Sequence, residues 1–235
     1  MHRSAQTIRL MLAAGLTVLV IPAILAAGLF TGGRYYDLMS TAIVVLAMLP
    51  FFLVFEKRRP KARELVPIAV MAAIAAVSRL AFAALPQFKP ILAVVIITAL
   101  TFGPEAGFLT GAVAMLASNV FFGQGPWTPW QMYCCGAVGF LAGALRQSGR
   151  LQRRWSLCLF GLLSGYLYGF IMDFWTVSSF GGLPTWAALM TAWSTGLYFD
   201  TILAVATAAF LLLLAGPIER KLTRLRRKFG LMAQL

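Results

Sequence analysis

An all-α membrane protein with several spans is the fold class this sequence predicts, and three observations predict it. Of the 235 residues, 60% are hydrophobic and 11% charged, with a mean hydropathy of +0.84, so the chain cannot cover itself with a water-compatible surface. Its apolar runs approach the ~20 residues a helix needs to cross a hydrocarbon core, which disfavours a barrel of short alternating strands. Its lysines and arginines gather at the ends of those runs, where translocation asymmetry places them.

Hydropathy and helix breakers divide the chain into eight spans: Ile8–Phe30, Leu38–Phe55, Leu65–Leu85, Pro90–Phe102, Ala106–Phe122, Trp130–Leu145, Ser156–Trp175 and Trp186–Ala215. The first follows a basic start and imitates a signal peptide, but it is long and no A-x-A site precedes a polar domain, so it reads as an uncleaved span. The fourth is short, a segment to be tilted, partly unwound or shielded by neighbours. A compositional break at EKRRPKARE, Glu56–Glu64, separates a two-span membrane extension (1–64) from a six-span core (65–216). A basic tail follows (217–235). Its KLTRLRRKFGLM segment reads either as an interfacial helix or as a charged stop after the last span.

Charge also orients the chain. Seventeen lysines and arginines fall on one side, against Arg34 and Lys89 on the other and Arg79 within a span. The rule that positive loops stay inside then predicts a multi-pass protein of the cell membrane with both termini cytoplasmic. The loops Leu85–Pro90, Gly123–Pro129 and Val177–Thr185 are accordingly external. The net charge of +13 is accounted for by this asymmetry and by anionic lipid, not by nucleic acid.

Catalytic constellations are absent from the sequence. Its single histidine is His2, so neither a Ser-His nor an H-E-x-x-H arrangement can form at membrane depth, and no Walker A or dinucleotide glycine pattern occurs. Cys134, Cys135 and Cys158 lack C-x-x-C spacing and read as small core residues. The chain is therefore expected to be no enzyme and to hold no metal and no cofactor.

What remains is a sparse polar set: Arg79, Asn119, Asp173 and Asp200, with Glu105 at a helix start on the cytoplasmic side. Ionisable groups in hydrocarbon are costly, so they face the bundle interior and pair with one another or with a ligand. For Arg79 a salt bridge to one aspartate and direct ligand contact both stay open.

Aromatic residues collect on the external side: Phe82, Phe88, Phe121, Phe122, Trp127, Trp130, Tyr133, Trp175, Phe180 and Trp186. An interfacial belt explains many of them. The stretch GQGPWTPWQM, Gly123–Met132, holds Trp127 and Trp130 in a loop stiffened by Pro126 and Pro129, as a binding lid would. Small residues recur at helical spacing: Ala72 and Ala76 with Ala69 and Ala73 beside them, Gly139 with Gly143, and Gly161, Gly165 and Gly169. Such faces let helices approach closely, within the chain or against a partner.

The block from Leu65 to Ala215, with AAIAAVSRLAFAALPQFKP at its start and then FGPEAGFLTGAVAMLASNVFFGQGPWTPWQM, resembles the substrate-binding S components of energy-coupling factor (ECF) vitamin importers. The resemblance implies a compact six-helix protein that captures a vitamin from outside. It also implies a transmembrane coupling protein and two ABC ATPases as partners, since the S component topples to deliver its ligand. Carried onto this chain, it puts Ala72 and Ala76 on the face that meets the coupling protein, and the loops Gln87–Lys89, Gln124–Trp130 and Ser178–Gly182 over the ligand. With the polar and aromatic groups above, the expected binding residues are Arg79, Phe88, Lys89, Asn119, Gln124, Trp127, Trp130, Tyr133, Asp173 and Trp175. GQGPWTPWQM most resembles S components associated with cobalamin or related corrinoids. The competing reading is a self-sufficient ion-coupled transporter with Arg79, Asp173 and Asp200 as its relay, which predicts internal inverted repeats not found in this sequence.

Overall fold

A computed structural model describes residues 41, 42, 45, 46, 48, 62–181 and 185–231. Six helices of twelve residues or more lie among the described residues: α1 (Ala62–Ala81), α2 (Ile91–Phe102), α3 (Pro104–Phe122), α4 (Trp127–Gln147), α5 (Arg154–Gly181) and α6 (Trp186–Phe229). The architecture is all-helical, and four of the helices, α1, α3, α5 and α6, are long and apolar enough to cross a membrane. Of the extension, the first expected span lies outside the described residues. The second is described only at five helical positions, of which Met48 packs on Phe108 and Ala112 of α3.

Helix α2 organises the bundle. All twelve of its residues are buried, and at 1.5 Å per residue it is only about 18 Å long, too short to span ~30 Å of hydrocarbon. An all-round apolar helix must be enclosed by protein, and α1, α3, α4, α5 and α6 all pack on it. The expected shielding of this segment by its neighbours is realised. Gly103, at φ +92°, allows the one-residue reversal into α3, with Pro104 at the first helical position where its missing N–H costs nothing.

The glycine ladders turn inward. A Cβ on Gly107 would stand 2.6 Å from the Gly139 carbonyl oxygen, one on Gly111 2.5 Å from the Cys135 oxygen, and Gly143 lies against Pro104. These close approaches bring α3 and α4 together almost backbone to backbone. Gly161, Gly165 and Gly169 do the same for α5 against Leu211, Ala204 and Asp200 of α6.

Four sequence expectations need correction. Helix α1 ends at Ala81 rather than Leu85, and α4 starts at Trp127 rather than Trp130. Trp127, Pro129 and Trp130 are therefore helical and the loop shrinks to Gly123–Pro126, since a proline in a first turn forfeits only an N–H that has no helical partner. Helix α5 runs on to Gly181, taking Ser178 and Ser179 out of the expected loop, while Gly182–Pro184 lie outside the described residues. Helix α6 passes through Pro217 and closes only at Gly230 in the left-handed conformation, so the basic tail continues the last span. Its 44 residues reach about 66 Å, and Arg226 Nη1 folds back to donate 2.8 Å to the Thr101 carbonyl at the end of α2. Nearby, Arg146 of α4 is ion-paired with Glu219 of α6.

Small residues on α1 also separate by register. Ala72 and Ala76 are buried in the chain's own core at 2% and 6% exposure, whereas Ala69 and Ala73 are exposed. The expected partner-coupling pair is thus buried within the chain, while the neighbouring register of α1 is exposed.

Candidate functional site

Arg79, in the last turn of α1, is the centre of the polar structure. Its Nη1 donates 2.7 Å to Ser118 Oγ and 2.6 Å to Asn119 Oδ1, both on α3, and its Cζ stands 4.4 Å above the Phe122 ring. Neither aspartate pairs with it. Helix α1 packs on α2 and α3, while Asp173 and Asp200 belong to the α5–α6 pair, where each carboxylate settles in the notch of a glycine opposite, Gly196 and Gly169 respectively. Glu105 stands in the first turn of α3 and is buried, as expected of a carboxylate at a helix start.

Asn119, 1% exposed, fixes the arginine through a relay. Its amide donates 2.7 Å to Gln131 Oε1 and 3.1 Å to Thr128 Oγ1, which commits Oδ1 to Arg79. Thr128 Oγ1 also receives the Gly125 N–H and donates 2.9 Å to Gln124 Oε1, while Gln124 Nε2 donates to the Leu116 carbonyl. The stiff stretch between α3 and α4 is thus a clasp at a helix start whose hydrogen bonds lead to Arg79.

A cavity of about 140 Å³ opens beside the guanidinium. Each of these six helices reaches it: Arg79 from α1, Ile91 and Leu92 from α2, Met115 from α3, Gln131 from α4, Tyr168 and Met172 from α5 and Leu203 from α6, with Gln87 and Lys89 from the α1–α2 loop. The loop is bent there by an N–H bond of 2.7 Å from Phe88 to the Pro86 carbonyl around Gln87, whose φ is +53°. Such a γ-turn is uncommon for a residue with a Cβ and costs of order 1–3 kcal/mol. It puts Gln87 and Lys89 at the cavity. Lys89 Nζ lies 4.8 Å from the centre of the same Phe122 ring, and burial, with the nearby Arg79 charge, lowers its pKa below that of an ordinary lysine.

Of the ten expected binding residues, only Arg79 and Lys89 line this cavity, and Asn119 serves it through Arg79. Phe88 instead packs on Phe82 and Phe210, 5.4 Å from the latter, and so ties the loop to α6. Trp127 meets Trp175 edge to face at 6.1 Å, and Trp130 meets Phe174 at 6.2 Å, which fastens α4 to α5. Tyr133 turns toward the Met48–Phe108 cluster, Gln124 is held in the clasp, and Asp173 remains between α5 and α6. Sequence reasoning missed Gln131 and Tyr168, although a glutamine one turn into an apolar helix was a usable signal. Among the described residues no group of three His, Cys, Asp or Glu could hold a metal.

Comparison with known proteins agrees with the helical architecture. Residues 63–216 match the family model described as ECF transporter, substrate-specific component. A UPF0397 protein of Vibrio atlanticus (strain LGP32) is 32% identical over 99 residues, which is 39% of this chain and 54% of that protein. UPF0397 proteins of Aliivibrio fischeri (strain MJ11) and Aliivibrio salmonicida (strain LFI1238) are each 32% identical over 87 residues, 35% of this chain and 47% of theirs. The chain thus spans about half the length of the curated relatives it matches. No solved structure matches it.

Proposed function

Because the chain belongs to the family of ECF transporter substrate-specific components, a family of transporter subunits and not of enzymes, we propose that the Arg79 cavity is where it captures a vitamin-class micronutrient from outside the cell. The single observation that carries this reading is the convergence of all six helices and the α1–α2 loop on one chamber. Binding sites in helical bundles form between helices, with a few polar groups set in an apolar wall, and here Arg79, Lys89, Gln87 and Gln131 stand among Ile91, Leu92, Met115, Met172 and Leu203.

Orientation follows from charge. The α4–α5 turn, with Arg146, Arg150, Arg153 and Arg154, and the end of α6, with Arg220 to Lys228, lie at the end of the bundle away from the cavity. With positive segments inside, the chamber faces outward and both termini are cytoplasmic. Lacking a nucleotide-binding motif, the chain would depend on a coupling protein and two ABC ATPases for energy. On α1 the exposed small residues Ala69 and Ala73, one turn apart, are free to meet the coupling protein.

The ligand is set by the chamber rather than by fold. At about 140 Å³ it is below the ~300–1,000 Å³ of pockets that enclose drug-sized molecules. A corrinoid, which the GQGPWTPWQM resemblance suggests, would enter only after the loops part. A small vitamin, or the head of a larger one, suits the closed chamber. The test is mass spectrometry of the purified full chain for a co-purified micronutrient, followed by titration of that compound without ATP. Wild type is expected to bind it at micromolar strength or tighter, and Arg79→Ala to bind at least tenfold more weakly. Ion-driven uptake by this chain alone in liposomes would overturn the reading.

A further inference from the structure

We propose that the chamber seats an anionic group, a carboxylate or phosphate, of the captured ligand against Arg79 and Lys89. The proposal rests on the capture reading and adds a charge class to it. The described lining carries two cations and no carboxylate: besides Arg79 and Lys89, its polar members are the neutral Gln87, Gln131 and Tyr168. The carboxylates nearest in the sequence pattern, Asp173 and Asp200, are held against Gly196 and Gly169 and do not compensate them.

Arg79 is positioned without being neutralised. Both its hydrogen bonds go to neutral oxygens and both leave from Nη1, so Nε and Nη2 keep their donors for a planar two-oxygen acceptor. Lys89 shares the Phe122 ring with Arg79, which keeps two like charges close together at a partly desolvated site. That arrangement is costly when empty and is relieved when a negative group arrives. The lowered pKa of Lys89, caused by its burial and by the Arg79 charge, reports the same strain. Gln131 spends its Oε1 on Asn119 and leaves its amide hydrogens as further donors. Met115, Met172 and Leu203 then face the uncharged part of the ligand.

Matched probes test the charge class. The purified full chain in detergent is heated with nicotinate against nicotinamide, pantothenate against panthenol, and pyridoxal 5′-phosphate against pyridoxal, at constant ionic strength set with sodium chloride. The expected result is that in at least one pair the anionic member raises Tm and binds at least tenfold tighter than its neutral counterpart. Lys89→Gln, which keeps a polar chain at the loop, should remove that preference while leaving the fold intact. The proposal is overturned if a neutral member stabilises equally, if Lys89→Gln leaves the preference unchanged, or if no anionic member acts. A neutral compound found co-purified would likewise sink the charge class while leaving the capture reading in place.

Discussion

Among single residues, Asn119 carries more than its size suggests. It accepts from Arg79 and donates to Gln131 and Thr128, so Asn119→Ala leaves an arginine and two oxygens short of partners. A cost of about 1–3 kcal/mol in stability is expected for buried polar groups stripped in this way, read as a lower Tm, together with weaker ligand binding. Arg79→Lys should not restore binding, because an ammonium cannot reproduce the planar fork. Gln87 offers a conformational test at φ +53°. Gln87→Gly and Gln87→Val both lose the amide, but only glycine adopts that backbone easily. Valine is expected to impair ligand affinity several-fold more than glycine, as isothermal titration would measure. Arg79 and Asn119 were legible in the sequence because polar groups in apolar runs are rare and demand a reason, and Lys89 through the loop that the family resemblance puts over the ligand. Arg79's partner was not, since that depends on which helix faces α1.

Helices succeed or fail here by how closely they approach. Gly165 of α5 lies directly on the Ala204 backbone of α6, so Gly165→Leu must push the two helices apart. Overpacking of this kind costs typically 1–3 kcal/mol, and the expected outcome is a lower melting temperature in a fluorescence-detected sizing assay. Gly123, with open space about it, is constrained instead by its φ of +97°, so an alanine there strains the loop without crowding it. The ladders themselves were visible as spacing, and α2 as a span too short to cross alone. Whether a ladder served a partner or the chain itself was decided by the neighbour each glycine meets. The start of α4 is not legible from its prolines, because a proline suits a loop and a helix's first turn alike.

For the molecule as a whole, coupling should follow from which face of α1 is free. Ala69→Trp with Ala73→Trp is expected to abolish co-purification with the coupling protein and ATPases and to leave ligand binding intact. Ala72→Trp with Ala76→Trp should instead lower yield and Tm, since both positions are buried against the core and a tryptophan cannot fit there. The sequence by itself determined that this is a helical membrane protein with basic clusters at the ends of its apolar runs, because hydropathy, helix length and charge position are summed over many residues and survive local error. Only the tertiary structure decided the rest. It turned the tryptophans of GQGPWTPWQM from a lid into fasteners between α4 and α5, buried Ala72 and Ala76, and parted Arg79 from the aspartates. Each of these outcomes depends on the rotation of one helix against its neighbours about the buried α2, and a helix's rotation is set by contacts between segments far apart in the chain.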